Sequence, residues 1–275
     1  SETTSLEKLV INGTNASGSE NYPNGVVFEK GGLIAADYLE INGTFASSSE
    51  GESLVTVRGE NAVFNAHDGQ TSAVVVSDSG TLSINESQSL TINGGTQSAV
   101  NVSAGSLNAQ GAAININGSV YANSGTNLAL QGIEGADDQA GTIKIKASEA
   151  QKGQGFAMLT ARAGSTVNLE AGTVTIDAGL LDDAHQAVSS AAESFTLTAD
   201  QTAITGSVIN NGKMTMKASE GSAGSLLHIK GHVRNQAGAE LNLSHENGTI
   251  YVETPEDAGY SYYSGIETRG TTHVA

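Results

Sequence analysis

Short runs in which apolar and small polar residues alternate recur along most of the chain. Leu82-Ser83-Ile84 and Leu90-Thr91-Ile92 are two such runs, and glycine or Asn-Gly separates them from their neighbours. Alternation with a period of two is typical of strands that have one buried and one exposed face. Asn and Gly suit the turns between them because both accept a positive φ. The pattern therefore predicts many short strands joined by tight turns.

These runs belong to a longer unit that repeats. Residues 72–95 return as residues 98–119 with small gaps, so that Leu82 corresponds to Leu107. The offset is about 24 to 26 residues, and a fixed period of this size is the signature of a solenoid. The phrase Ile-Asn-Gly, which would end a strand, recurs at residues 11–13, 41–43, 92–94 and 116–118. We predict an all-β fold, a right-handed parallel β-helix with coils of about 25 residues.

Composition agrees with one elongated domain. The chain of 275 residues has 34 glycines, no tryptophan and 15% charged residues, which is poor material for amphipathic helices and good material for turns. Its two prolines, Pro23 and Pro255, lie near the termini, and proline cannot donate to a central strand ladder. We therefore predict a single domain over residues 1–275, with an N-terminal cap over 1–24 and a C-terminal cap or tail over 253–275.

Charge and cysteine content narrow the choice of partners. Twelve basic and 29 acidic residues give a net charge of −17, which repels nucleic acid and anionic membranes, so neither is expected as a partner. The chain has no cysteine, which excludes disulfides and thiolate metal sites and is compatible with export. No run of about 18 apolar residues is present, so we expect no direct membrane insertion of this segment. The polar first residues are unlike a signal peptide, and we expect a mature or excised fragment.

Two stretches resemble a known family. Residues 206–216, GSVINNGKMTM, and residues 231–243, GHVRNQAGAELNL, are similar to the G-x-V-x-N-x-G-x-L-x-L coils of bacterial autotransporter passenger domains. Pertactin-like and self-associating adhesin passengers are the nearest type. A similar repeat pattern extends over most of Leu6–Val252. The motif itself is degenerate, and many surface solenoids share it. The membrane β-barrel and linker helix that complete such proteins have no counterpart in this sequence.

The resemblance implies a parallel β-helix that is exported across a Gram-negative outer membrane and is secreted or displayed on the bacterial cell surface. Most members of that family act in cell adhesion, virulence or biofilm formation. We therefore expect a non-enzymatic adhesin segment that attaches to a glycan or protein of host or other cells, or to copies of itself. A structural stalk that presents a binding tip located elsewhere is an open alternative.

Catalytic motifs are absent from the sequence. It has no G-x-S-x-G nucleophile turn and no H-E-x-x-H zinc motif, and its six histidines are scattered and expected to be exposed. We therefore predict no catalytic residue, no cofactor and no bound metal. Parallel β-helices also house enzymes that cleave acidic polysaccharides with clustered carboxylates, so a polysaccharide-cleaving enzyme stays open as a second alternative.

Two acidic doublets, Asp137-Asp138 and Asp182-Asp183, are candidate binding residues because they lie where the repeat is interrupted. Loops on a rigid shaft are where binding residues usually sit. In a strand the two members of a doublet would point to opposite faces, so only a loop could bring them together. The doublets could serve a carboxylate-dependent enzyme or bind Ca²⁺, and solvated acidic loops are the simpler explanation.

A tyrosine cluster near the C-terminus is the remaining candidate. Tyr260, Tyr262 and Tyr263 follow Tyr251 in a chain that has only 4% aromatic residues. Aromatic rings offer an apolar face on which a sugar ring can stack, and a tyrosine adds a polar hydroxyl. The cluster is therefore either a binding patch for a glycan or protein, or a plug over the last coil.

Overall fold

A computed structural model describes residues 6–13, 25–47, 54–66, 72–96, 98–152, 157–179, 186–253 and 265–275. In this part of the chain neighbouring strands pair in parallel, and the one short 3-10 helix is Glu149–Gln151. The strands are β1 (Leu6–Asn12), β2 (Gly25–Phe28), β3 (Gly32–Asn42), β4 (Thr44–Ser47), β5 (Leu54–Asn65), β6 (Val74–Val76), β7 (Thr81–Asn93), β8 (Val100–Val102), β9 (Ser106–Gly111), β10 (Ala113–Asn117), β11 (Val120–Ala122), β12 (Asn127–Gly132), β13 (Thr142–Lys146), β14 (Leu159–Ala161), β15 (Thr166–Asp177), β16 (Gln186–Ser190), β17 (Ser194–Thr205), β18 (Ser207–Asn210), β19 (Lys213–Lys217), β20 (Leu226–Lys230), β21 (Val233–Asn235), β22 (Glu240–Ser244), β23 (Thr249–Glu253), β24 (Ile266–Thr268) and β25 (Thr271–Val274).

The strands form a β-solenoid with three faces. A sheet of 15 strands bends around a corner, because the first part of a long strand such as β7 pairs with β9 and its last part pairs with β10. We name the side that contains 81–85 face 1 and the side that contains 89–93 face 2. Face 3 is the separate sheet of ten strands, in which β8 lies between β6 and β11. The chain passes through faces 1, 2 and 3 in each winding of about 27 residues, which confirms the predicted all-β parallel β-helix.

The repeat read from the sequence matches the register of the stacked strands. Leu82 lies beside Leu107 on face 1, and Val208 lies beside Val233 on face 3. Side chains at these positions point inward and are fully buried in one continuous apolar core. On face 1 small polar residues such as Ser83 and Asn108 occupy the outward positions beside this column, because the outer surface meets water.

Strands continue into both stretches that were predicted as caps. β1 pairs with β3 near the N-terminus, and near the C-terminus β24 pairs with β21 while β25 pairs with β22. The inward column of face 3 therefore extends to Ile266, which is 37% exposed because no described strand covers it. Within the described residues no helix is long and apolar enough to cross a membrane.

The corner between faces 1 and 2 requires a glycine at residue 59. A Cβ atom added at Gly59 would lie 1.7 Å from the carbonyl oxygen of Ala36, so no side chain fits there. Glu86 lies in register with Gly59, and Gly111 occupies the same corner in the next winding. The Glu86 side chain turns inward beside Gly59, where its Oε2 atom lies 3.3 Å from the position that a Cβ of Gly59 would take, and it is 1% exposed.

Candidate functional site

A groove of about 330 Å³ opens on the corner between faces 1 and 2. It lies where the loop between β12 and β13 leaves the regular winding. Its polar lining residues come from five different segments and are Gln131, Glu134, Asp138, Glu170, Asp200 and Ser219. Four of these six residues carry carboxylates, so the groove is suited to ligands that donate hydrogen bonds or carry positive charge.

The loop between β12 and β13 is folded by backbone hydrogen bonds within it, and its two ends approach closely through glycines. The amide of Gly135 donates to the carbonyl of Gln139 at 2.9 Å, and the amide of Asp138 donates to the carbonyl of Gly135 at 3.2 Å. Asp138 has φ of 55°, a left-handed conformation that aspartate adopts more readily than most residues. A Cβ at Gly141 would lie 2.1 Å from the backbone of Gly132, so the two ends of the loop can meet only through glycine.

Two further carboxylates reach the groove from strands. Glu170 lies in β15 in register with Gln131 of β12, one winding away on face 1. Asp200 lies at the turn inside β17, and its Oδ1 atom is buried without a hydrogen-bond partner among the described residues. The sequence alone did not single out these two residues, because they are separated by 30 residues and come together only through the register of the windings.

Of the acidic doublets that the sequence indicated as candidate binding residues, the described structure places only one residue in the groove. Asp138 lines the groove, whereas its neighbour Asp137 is exposed and lies outside the lining. The other predicted binding residues lie outside the described residues: Asp182, Asp183, Tyr260, Tyr262 and Tyr263. In the described ranges no group of three or more His, Asp or Glu side chains is arranged to hold a metal ion.

The prediction that all histidines are exposed is wrong for His245. This side chain is 3% exposed, and its Nδ1 atom lies 3.1 Å from the hydroxyl of Ser225. Burial lowers the pKa of the imidazole, and the nearby Asp200 carboxylate opposes that shift. Ser225 is itself 1% exposed, so its hydroxyl cannot reach a substrate. We therefore assign the Ser225–His245 contact to the structure of the corner and not to catalysis.

A ladder of asparagines runs along the outside of the solenoid where face 2 ends. Asn42, Asn65, Asn93 and Asn117 each donate through Nδ2 to the Oδ1 of the asparagine one winding earlier, over 2.5 to 2.7 Å, and Asn12 is the first acceptor. Most of these residues belong to the Ile-Asn-Gly phrase. The ladder links five windings through side chains and explains why that phrase recurs.

Comparison of the chain with known proteins found no relative. No protein-family model, no curated protein and no solved structure matches the chain. Parallel β-solenoids serve both as enzymes and as binding proteins, so the fold by itself does not choose between these classes.

Proposed function

We propose that the chain is a non-enzymatic adhesin segment of a bacterial protein that is secreted or displayed on the cell surface. Its partner is a glycan or protein on host or other cells, or a further copy of itself in aggregation and biofilm. Nucleic acid is not a partner in this proposal, because the net charge of −17 would repel it, and the segment does not insert directly into a membrane.

The observation that supports the proposal most is the repetition of outward polar positions along a rigid body. Adjacent strands lie about 4.8 Å apart, so equivalent side chains of successive windings form columns with that spacing. Face 3 alone has ten stacked strands. Contacts that are individually weak become strong when many are made at once, which is how an extended surface can hold a partner.

The stretches that resemble autotransporter passengers have a structural explanation. Val208 and Asn210 both point into the core of face 3 and are fully buried. The Nδ2 atom of Asn210 donates to the Oδ1 of Asn235 in the next winding at 2.9 Å. The V-x-N part of the motif thus satisfies packing inside a coil, and it supports the architecture more directly than it supports surface display. Export and surface location are therefore part of the proposal.

A display experiment tests the proposed attachment. Non-adherent bacteria that display residues 1–275 should clump or adhere to host cells more than bacteria that display an unrelated β-solenoid at equal density. Equal behaviour of the two strains would contradict the proposal. If a longer protein that contains this chain attaches while residues 1–275 alone do not, the segment is a stalk.

The acidic groove favours a polysaccharide-cleaving enzyme as the second candidate. Glycoside hydrolases use a pair of carboxyl groups on either side of the scissile bond, and the groove contains four. Incubation with pectic and other acidic glycans should then release reducing ends or unsaturated products, and Asp200→Asn should reduce their formation. Absence of product from the wild-type protein would eliminate this candidate.

A further inference from the structure

Four polar and aromatic residues occupy neighbouring outward positions of face 2, in β20 and β23. Tyr251 lies in register with His228, and Glu253 lies in register with Lys230. The ring centroids of Tyr251 and His228 are 5.1 Å apart with an angle of 47° between the ring planes. The Nε2 atom of His228 lies 3.0 Å from Oε1 of Glu253. The imidazole therefore supports the tyrosine ring on one side and fixes the carboxylate on the other.

The Tyr251 ring is accessible, unlike the tyrosine near the opposite end of the same face. Tyr251 is 51% exposed. Tyr38 also points outward from face 2, but the Nζ atom of Lys8 lies 5.3 Å from its ring centroid, and its hydroxyl donates to Glu40 at 3.0 Å. No such cation or carboxylate contact occupies Tyr251 in the described part of the chain. Tyr38 is thus a matched aromatic residue whose own contacts already occupy its ring and hydroxyl.

We propose that Tyr251, His228, Glu253 and Lys230 form a binding site for one pyranose ring of a neutral glycan. The apolar C–H face of the sugar stacks on the Tyr251 ring. Hydroxyl groups of the sugar donate to the second carboxylate oxygen of Glu253, and the Lys230 ammonium donates to a sugar oxygen.

The spacing of the four residues suits a single sugar ring. Tyr251 and Glu253 are two residues apart on the same side of a strand, which corresponds to about 7 Å, and Lys230 lies on the neighbouring strand about 4.8 Å away. One hexose lying on the tyrosine can therefore reach both charged groups. His228 needs no contact with the ligand, because its contribution is to position Tyr251 and Glu253.

Local charge favours a neutral sugar over an acidic one. Glu253 is accompanied by one lysine and one imidazole, so the site itself carries little net charge, while the chain as a whole carries −17. An acidic sugar approaching the protein would meet that overall repulsion. This inference rests on the proposed attachment function and names its ligand, and repetition of the segment on a cell surface would multiply a weak single-site affinity.

A glycan array tests the site. The labelled chain, residues 1–275, is applied to an array of neutral galactosides, glucosides, mannosides and N-acetylglucosaminides together with sialosides and uronates. We expect binding to at least one neutral class, unchanged by Tyr38→Ala or Tyr251→Phe. Tyr251→Ala should weaken that binding about tenfold or more, because the stacking surface is lost. Glu253→Gln should weaken it as well, and it serves as the second variant if Tyr251→Ala does not fold.

Three results would overturn the inference. They are binding that survives both Tyr251→Ala and Glu253→Gln in folded protein, binding to acidic glycans alone, and binding to no glycan on the array. Circular dichroism of each variant establishes whether it is folded. If the displayed segment still causes cells to adhere while one of these results holds, the sugar site is rejected and the attachment function stands. If adhesion is absent as well, both are rejected.

Discussion

Replacement of Glu86 by glutamine should stabilise the protein, and the gain should depend on pH. Glu86 lies inside the corner between faces 1 and 2, and neither of its carboxyl oxygens has a hydrogen-bond partner among the described residues. Burial raises the pKa of this carboxyl from 4.5 to about 8. Glutamine has nearly the same shape but cannot ionise, so it keeps the packing and removes the titration.

The size of the effect follows from the difference in pKa between the two states. Between pH 4.5 and 8 the folded protein keeps the Glu86 proton while the unfolded chain has lost it. The free energy of unfolding therefore falls as the pH rises through this window, by about 1.4 kcal/mol per pH unit. The loss reaches about 3 kcal/mol at pH 7 and about 5 kcal/mol above pH 8. Glu86→Gln should recover these amounts and should give almost no gain at pH 4.

Urea unfolding followed by far-ultraviolet circular dichroism at pH 4, 7 and 9 measures this gain. Glu193→Gln is the matched control, because Glu193 is exposed. It should change the unfolding midpoint little at any of the three pH values. A Glu86→Gln effect of the same size at pH 4 and pH 9 would refute the reasoning.

Two further substitutions test the ladder and the corner. Asn93→Ala interrupts the asparagine ladder and should lower the free energy of unfolding by about 1 to 2 kcal/mol in urea titrations. Thr91→Ala, at the adjacent outward position, is the control and should change the free energy of unfolding little. Equal effects of the two substitutions would mean that the ladder does not stabilise the stack. Gly59→Ala should lower the thermal midpoint sharply or prevent folding, because its Cβ would lie 1.7 Å from the Ala36 carbonyl oxygen. Gly125→Ala meets no atom within 4 Å and should cost only about 1 kcal/mol for its positive φ, so similar losses at the two glycines would contradict the steric argument.

The stacking was predictable because it depends on patterns that are local in sequence. A period of two assigns each residue of a strand to the core or to the surface, and the repeat then sets which strands are neighbours, as with Leu82 and Leu107. The same period of two places Glu86 on the inward side after Leu82 and Ile84, but no local pattern indicates that a carboxyl group will stay buried there. Glu86 stands in the polar run Asn85-Glu86-Ser87, and the space for its side chain lies beside Gly59 of the neighbouring winding.

The groove was predictable only in part for the same reason. Asp138 attracts attention because it belongs to an acidic doublet in a stretch that interrupts the repeat. Glu170 and Asp200 do not stand out in the sequence, since neither belongs to an acidic run and each lies in a strand of ordinary composition. Glu170 and Asp200 come together only because of the register between windings, and that register depends on how many residues of each winding lie in loops outside the strands. Loop lengths differ between windings, and no local pattern encodes the resulting register.

The rise of the windings along one axis is the claim on which the whole account depends, and a distance between spin labels tests it most directly. The chain has no native cysteine, so Thr56→Cys and Asn242→Cys can be labelled selectively. Both residues point outward in the same column of face 1, and seven strand spacings of about 4.8 Å separate them, or about 34 Å. Moving the first label to Ser83, one winding closer, should shorten the distance by about 5 Å. Equal distances for the two pairs, or a distance below about 20 Å for the first, would contradict the stacked solenoid.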